Sequence, residues 1–333
     1  MSDFIRKFCL AALAAVAFTA CSNETADLST AQLPIINGQI AADENYGAVV
    51  SLSIRADKHY YTYCTGTLIR EDAVLTAAHC VSDTDDFDFS SFYYYQQVQV
   101  LTGINADNPS QSDIYNIADI QLHPDYWPNK PEYDLAIVFL NTPVPENKAK
   151  PLPRFKDKTR LPILAHNTQR IEFAGYGITE DGSDGKRKKA EGFISKYCAN
   201  NSDNSCGIVT PMGEHYIIPP GSIFHDIEKG GACLGDSGGP VLIEENGELS
   251  VIGVIAYGDA DCSIYAVTTS VPDFEPWIEE TLNPPPEDDC SASGLYAFRN
   301  NRPRRPLLFM ICCAFLGLCC LRRRHDTLHE TLD

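Results

Sequence analysis

Strand-length apolar runs separated by turn signals fill the middle of this chain, and their spacing argues against helical and α/β architectures before any motif is considered. A first set covers Val49–Ile54, Thr65–Ile69, Ala73–Thr76, Val98–Leu101, Ile114–Leu122 and Leu135–Leu140. A second covers Ile171–Ala174, Val241–Ile243, Leu249–Ala256 and Tyr265–Thr269. An apolar pattern of helical period persists only over Phe274–Leu282. This distribution predicts an all-β fold, a sandwich or barrels, closed by one terminal helix. The 333 residues amount to about two domains, or one two-lobed domain with appendages. A hydrophobic fraction of 44% is enough to fill a core and excludes wholesale disorder.

The two ends read as addresses. Arg6 and Lys7 precede an apolar run from Phe8 to Phe18, the length of a signal peptide and too short to span a bilayer. Ala15-Val16-Ala17 fits a small-x-small cleavage site, while Phe18-Thr19-Ala20-Cys21 resembles a lipobox that would make Cys21 the lipidated first residue. Both readings export the chain, to a bacterial envelope or beyond it. Residues 1–20 are then the signal peptide and 21–34 a propeptide. Pro284-Pro285-Pro286 opens a Pro- and Arg-rich linker over 284–306, followed by an apolar segment over 307–321 and a basic tail over 322–333. Fifteen apolar residues make a helix of about 22 Å, short of a hydrocarbon core of about 30 Å. The segment reads either as a short membrane anchor or as the kind of C-terminal sorting tail found on some bacterial exported proteases, although the diglycine of some such tails is missing. Cys312, Cys313, Cys319 and Cys320 within it read as apolar filler. The net charge of −19 excludes nucleic acid as the main partner, because phosphate binding needs a basic footprint.

Three local patterns follow one another in a fixed order: Leu75-Thr76-Ala77-Ala78-His79-Cys80, Tyr133-Asp134-Leu135-Ala136-Ile137 and Gly235-Asp236-Ser237-Gly238-Gly239-Pro240. The third is the most specific, since flanking glycines let a backbone turn tightly and aim successive N–H groups at one point, as an oxyanion requires. It also satisfies Gly-x-Ser-x-Gly, the nucleophile elbow of α/β-hydrolases. That fold needs its acid and its His after the Ser, and the histidines that follow Ser237 are His325 and His329, beyond the apolar tail.

In these three motifs, and from Ile35 to about Leu282, the chain resembles the trypsin/chymotrypsin-like serine proteases. The resemblance implies two antiparallel six-stranded β-barrels over residues 35–283, with a C-terminal helix and the site between the barrels. It implies Ser237 as nucleophile, His79 as general base and then acid, and Asp134 as the residue that holds the imidazole. The N–H groups of Gly235 and Ser237 would form the oxyanion hole. Ile35-Ile36-Asn37-Gly38 resembles the family's mature N-terminus, whose freed α-amine would pair with Asp236. Pro34 stands where trypsin-like activators cut after Arg or Lys, so an activating protease of another kind is expected. The resemblance pairs Cys64 with Cys80 and Cys233 with Cys262, leaving Cys198 to pair with Cys206 and Cys290 as the odd cysteine.

Gly231, six residues before the nucleophile, would lie at the base of the substrate pocket, with Gly258 and Ser263 on its walls. None offers a carboxylate, so a neutral residue is expected on the acyl side of the cut bond. Asp259 and Asp261 would restore a basic preference if their loop folded inward. Partners are therefore protein or peptide substrates, an activating protease, and the membrane through the C-terminal segment and lipid on Cys21. The reading calls for no cofactor and no metal. Asp83, Asp85, Asp86 and Asp88 lack the Gly and distal Glu of an EF-hand and read as a solvated loop. Tyr93-Tyr94-Tyr95 reads as partly packed on a barrel, and Lys186–Lys189 as an exposed basic loop open to nicking. The competing class is a catalytically silent relative that only binds partners.

Overall fold

The computed structural model describes residues 38–285 except 57–58, 83–97, 129, 179–182, 201–205, 210–212, 214, 228–230 and 260. The chain divides into two compact units, 1–278 and 279–333. The strands all belong to the first. Of the second, residues 279–285 are described, and Asn283 N–H donates to Glu279 O at 2.9 Å there.

Six strands close the first barrel: β2 (Val49–Ala56), β3 (His59–Arg70), β4 (Ala73–Thr76), β5 (Val98–Leu101), β6 (Ile114–Leu122) and β7 (Ala136–Leu140), in the order β2-β3-β4-β7-β6-β5, with β5 returning to β2. Leu52, Leu68, Leu75, Leu101, Leu135 and Ile137 fill it and are fully buried. The second barrel comprises β8 (Arg170–Gly175), β9 (Lys188–Cys198), β12 (Ser222–Asp226), β13 (Pro240–Glu245), β14 (Glu248–Gly258) and β15 (Tyr265–Ser270). Its order is β9-β12-β15-β14-β13-β8, closed by pairing of β8 with β9. The short β1 (Gln39–Ile40) adds to β9, and β10 (Cys206–Val209) and β11 (His215–Ile218) form a separate hairpin. Two antiparallel six-stranded barrels are therefore present, as expected, and all the strand runs read from the sequence fall on strands.

Helix α1 (Leu161–His166) is too short to register as a periodic pattern. Helix α2 (Val271–Leu282) starts three residues before the expected Phe274, because Val271, Phe274 and Ile278 form one buried stripe. Strands β9 and β12 escaped the sequence reading for a packing reason. The inward face of β9 carries Ala190, Gly192 and Ile194; a Cβ on Gly192 would stand 2.5 Å from the Phe173 ring. An interior built from small residues shows no apolar alternation. In β12 the inward His225 is fully buried, its ring nitrogens 3.0 Å from Thr268 Oγ1 and 3.1 Å from Phe193 O. Burial holds its pKa down to about 4, with the Phe193 bond opposing, so a neutral imidazole occupies a place where the pattern expects an aliphatic residue.

One expectation is overturned. Lys186–Lys189 is not an exposed loop: Arg187 is buried, its Nε donating to Ala41 O at 2.9 Å, and Lys188 and Lys189 open β9. The aliphatic stems of basic side chains can line a barrel wall, which composition alone does not reveal.

Phe173 packs edge-on against His225 (centroids 5.1 Å) and covers Gly192 from the opposing strand. Phe173→Ala is expected to cost about 3–5 kcal/mol, read as a lower urea midpoint with an unchanged slope.

Candidate active site

The pairing of β4 with β7 brings the first two motifs together. Thr76, the last residue of β4, lies opposite Ala136, the first of β7. The chain beyond Thr76 reaches His79 within three residues, and the chain before Ala136 holds Asp134, so residues 55 apart in sequence become neighbours. His79 N–H donates to Asp134 Oδ1 at 2.9 Å, and His79 Nδ1 lies 2.6 Å from Asp134 Oδ2. Both carboxylate oxygens thus serve one residue, fixing the plane of the ring and putting the donor hydrogen on Nδ1. Asp134 is 7% exposed in its side chain and His79 37%, a buried anchor carrying an accessible ring. Burial pushes the imidazole pKa down, but the Asp134 hydrogen bond and charge together outweigh it and hold it above 6.5.

Backbone geometry aims the carboxylate. Tyr133 sits at φ +57°, and Leu135 N–H donates to Tyr133 O at 2.7 Å across the turn. A bulky residue in the left-handed region is strained. Its ring is held by stacking on His123 (5.0 Å, 20°) and by an edge contact with Phe274 (5.7 Å). Burial lowers His123 to a pKa of about 4 despite Asp125, so the stacking partner is neutral.

The third motif is docked from the second barrel. Asp236 N–H donates to Cys233 O at 3.0 Å, Gly239 N–H to Asp236 O at 2.8 Å and Gly238 N–H to Ile255 O at 2.8 Å. Gly238 has φ +81°, and a Cβ there would overlap Thr76 Oγ1 and Thr65 O, so only glycine fits against the first barrel. Among the described residues the N–H groups of Gly235 and Ser237 donate to no protein acceptor, which leaves them available to a ligand. Cys80 Sγ lies 3.7 Å from His79 Nε2 and 3.5 Å from Ser237 O, so the ring and the serine backbone flank the same sulfur. Ser237 Oγ is not hydrogen-bonded to Nε2 here; sites without substrate commonly close that contact only in the complex.

Thr65 was not among the residues singled out in the sequence. Its N–H donates to Ser237 O at 2.8 Å, its hydroxyl donates to Gly235 O at 2.9 Å and accepts Tyr176 N–H at 3.1 Å, and its carbonyl accepts Thr76 Oγ1 at 2.8 Å. A threonine inside a long strand carries no sequence signal for this role.

Asp236 is fully buried. Its Oδ1 accepts Gly177 N–H at 2.8 Å and its Oδ2 accepts Cys233 N–H at 2.9 Å. Burial raises its pKa to about 7, against the pull of these two amides and of Lys188.

The structure joins Cys64 to Cys80, Cys198 to Cys206 and Cys233 to Cys262. Cys64, His79 and Cys80 form a metal-sized cluster, but both sulfurs are committed to a disulfide and supply no thiolate.

Of the expected pocket residues, Gly231 is buried with Ile227 against it, Gly258 is exposed, and Ser263 is half-buried. The Asp259 carboxylate is consumed by its own loop. It accepts N–H bonds from Ser263 (3.0 Å), Ile264 (2.9 Å) and Tyr265 (2.9 Å), and these bonds overcome burial to lower its pKa. Asp261 is exposed. A cleft of about 230 Å³ is lined by Tyr63, Ile178, Asp184, Leu234 and Gly235 among others. The Tyr63 hydroxyl is buried there without a hydrogen-bond partner among the described residues. Ile35, Cys21, Asp83, Asp85, Asp86, Asp88, Tyr93, Tyr94, Tyr95, Cys290 and the apolar tail lie outside the described residues. Among the described residues no helix is long and apolar enough to cross a membrane.

The family model described as Trypsin matches residues 35–278. The chain is 26% identical over 271 residues to the human chymotrypsin-like elastase family member 1, covering 78% of this chain and 96% of that protein. It is 25% identical over 227 residues to the trypsin of Saccharopolyspora erythraea (68% and 87%). It is also 25% identical over 258 residues to the clotting factor G beta subunit of Tachypleus tridentatus (74% and 79%).

A raised imidazole pKa means that folding favours the protonated ring. The corresponding stability is complete below pH 6.5 and is lost as the pH rises through the folded value. Asp134→Asn removes both influences that raise it. The His79 ring titration, followed by NMR, is expected to move to lower pH, and the extra stability at acid pH to vanish with it.

Proposed function

The chain belongs to the trypsin/chymotrypsin-like serine protease family, and from that premise we propose that it is an exported serine endopeptidase acting through Ser237, His79 and Asp134 by way of an acyl-enzyme. The observation that carries the reading is the pair of hydrogen bonds that His79 donates to the Asp134 carboxylate, set beside a tight glycine turn whose two backbone N–H groups meet no acceptor among the described residues. The Nδ1–H tautomer leaves Nε2 as the base that takes the Ser237 proton while Oγ attacks the substrate carbonyl. The developing oxyanion is received by the N–H groups of Gly235 and Ser237, each such donor supplying roughly 3 kcal/mol. The imidazolium, held by Asp134, then protonates the leaving amine, and water repeats the sequence to release the acyl group.

The acyl-side pocket takes a neutral residue. Gly231, Gly258 and Ser263 bring no charge, and the Asp259 carboxylate is occupied by three amides of its own loop. Cleavage behind Pro34 by another protease frees the Ile35 α-amine, which pairs with Asp236. No cysteine lies between Ser22 and Pro34, so the severed peptide is not tethered, and a lipid on Cys21 would leave with it. The three disulfides suit an oxidising compartment outside the cytoplasm. The apolar segment over 307–321 then remains as the membrane or sorting element.

A fluorophosphonate probe is expected to label the cut protein at Ser237 and to leave Ser237→Ala unlabelled, with kcat lowered about 10⁵–10⁶-fold in that variant. Absence of label on the cut protein would sink the enzymatic reading. In a peptide panel, cleavage after Leu, Phe or Ala is expected to outpace cleavage after Arg; the reverse order would refute the neutral pocket.

A further inference from the structure

We propose that the cleft between Tyr63 and Asp184 receives the leaving-group side of the substrate, and that Asp184 selects a cationic side chain, lysine or arginine, on the amine side of the cut bond. This rests on the protease reading above and deepens it: the acyl side takes a neutral residue, while the amine side takes a charged one.

Two features put the cleft beyond the reacting carbonyl. The first is Gly235, which lines it and whose N–H meets no acceptor among the described residues. An oxyanion received by that N–H sets the substrate carbonyl at the mouth of the cleft. Gly231, Gly258 and Ser263, expected around the acyl-side pocket, do not line it. The second is the Cys64–Cys80 disulfide. Cys80 Sγ lies 3.7 Å from His79 Nε2, the atom that hands its proton to the leaving amine. The bridge joins Cys80 to Cys64, the residue that follows Tyr63. Thr62 and Tyr63 therefore wall the side on which the amine departs. At about 230 Å³ the cleft is smaller than the roughly 300–1,000 Å³ of small-molecule pockets, which suits one side chain rather than a free ligand.

The chemistry of the lining gives the preference. Ile178 and Leu234 supply apolar wall, tied together by Ile178 N–H donating to Leu234 O at 2.9 Å. Asp184 is half-buried, and among the described residues its carboxylate forms no hydrogen bond or ion pair. A Cβ on Gly185 would overlap the Asp107 carboxylate, so a second acid lies under the same turn. Burial and the charge of Asp184 raise the Asp107 pKa, with Lys186 opposing. Two carboxylates thus share one ammonium, and a substrate cation would offset the remaining charge. A lysine or arginine suits such a cleft because its stem packs along Leu234 and Ile178 while its head reaches the acid.

Tyr63 supplies an independent sign of an occupant. Its hydroxyl is buried without a partner among the described residues, and burial raises its pKa, so the proton stays on as a donor. A buried donor is costly to leave unmade, and a backbone carbonyl of an extended substrate is the acceptor it lacks. Substrates favoured by this site carry Lys or Arg shortly after the neutral residue at the cut. A carboxylate in the same place would meet Asp184 and Asp107 and be rejected. Because the cleft keeps solvent on one side, salt would weaken both effects.

The test uses the full chain with residues 30–34 replaced by Asp-Asp-Asp-Asp-Lys, so that enteropeptidase frees Ile35 on demand. Cutting is verified by intact mass, and Ser237→Ala is the control for contaminating protease. Quenched fluorescent peptides are built on the acyl-side residue that the panel above favours and differ in Lys, Gln or Glu at the first, second or third amine-side position. At one of these positions kcat/KM is expected to be about fivefold higher for Lys than for Gln, and lower again for Glu, with both gaps shrinking in 1 M salt. Asp184→Asn should bring the Lys peptide to the level of the Gln peptide, whose own kcat/KM stays within about twofold, and Asp184→Lys should reverse the order. A peptidyl p-nitroanilide, which has no amine-side residues, should be hydrolysed equally by all three proteins. A Lys-to-Gln ratio unchanged in Asp184→Asn would overturn the proposal. So would a parent that prefers Lys at none of the positions, a comparison that needs no substitution at 184. A cut parent that hydrolyses neither the peptides nor the p-nitroanilide would instead overturn the protease reading, and this inference with it.

Discussion

Thr65 joins the two barrels at the point where the chemistry would occur. Its strand belongs to the first barrel, yet its N–H and hydroxyl hold the carbonyls of Ser237 and Gly235, which belong to the second, and its hydroxyl also receives Tyr176 N–H. Every one of these groups is backbone or a rigid β-branched side chain, so little rotamer freedom remains to blur the geometry. His79 and Asp134 are brought together by pairing within the first barrel, and Thr269 Oγ1 of the second donates to Asp134 O at 3.1 Å. The Thr65 clamp, with the close fit of Gly238 against Thr76, ties the Ser237 loop of the second barrel to the strands of the first that carry the imidazole.

A second constraint is electrostatic. Asp236 is a fully buried carboxylate that accepts two amide N–H bonds, and burial lifts its pKa to about 7 against the pull of those amides and of Lys188. Gly175 and Gly177 make room for it: a Cβ on either would overlap the carboxylate.

Asp259 shows the opposite outcome. Like Asp236 it accepts several backbone amides, but it lies half-buried in a loop that a disulfide pins at Cys262 to Cys233, and its pKa falls rather than rises. Two acidic residues equally conspicuous in the sequence therefore end with different chemistry, one sequestered as loop structure and the other poised. The difference lies in solvent access and in the number of amides each can collect.

Read as a string, the chain already specified the barrel strands with clear apolar runs, the terminal helix, and the order His79, Asp134, Ser237 that excludes an α/β-hydrolase. These are local signals: strand length, turn residues and motif order do not depend on what packs against them. What only the tertiary structure decided are the non-local items. Strands β9 and β12 carry small or polar interiors, Gly192 and His225, whose fit depends on Phe173 and Thr268 reaching them from other strands. The fate of Lys186–Lys189, the clamp at Thr65, the neutral company of Tyr133 and the closure of the Asp259 loop all depend on which backbone groups come within about 3 Å. That distance is set by barrel closure, and no window of neighbouring residues contains it.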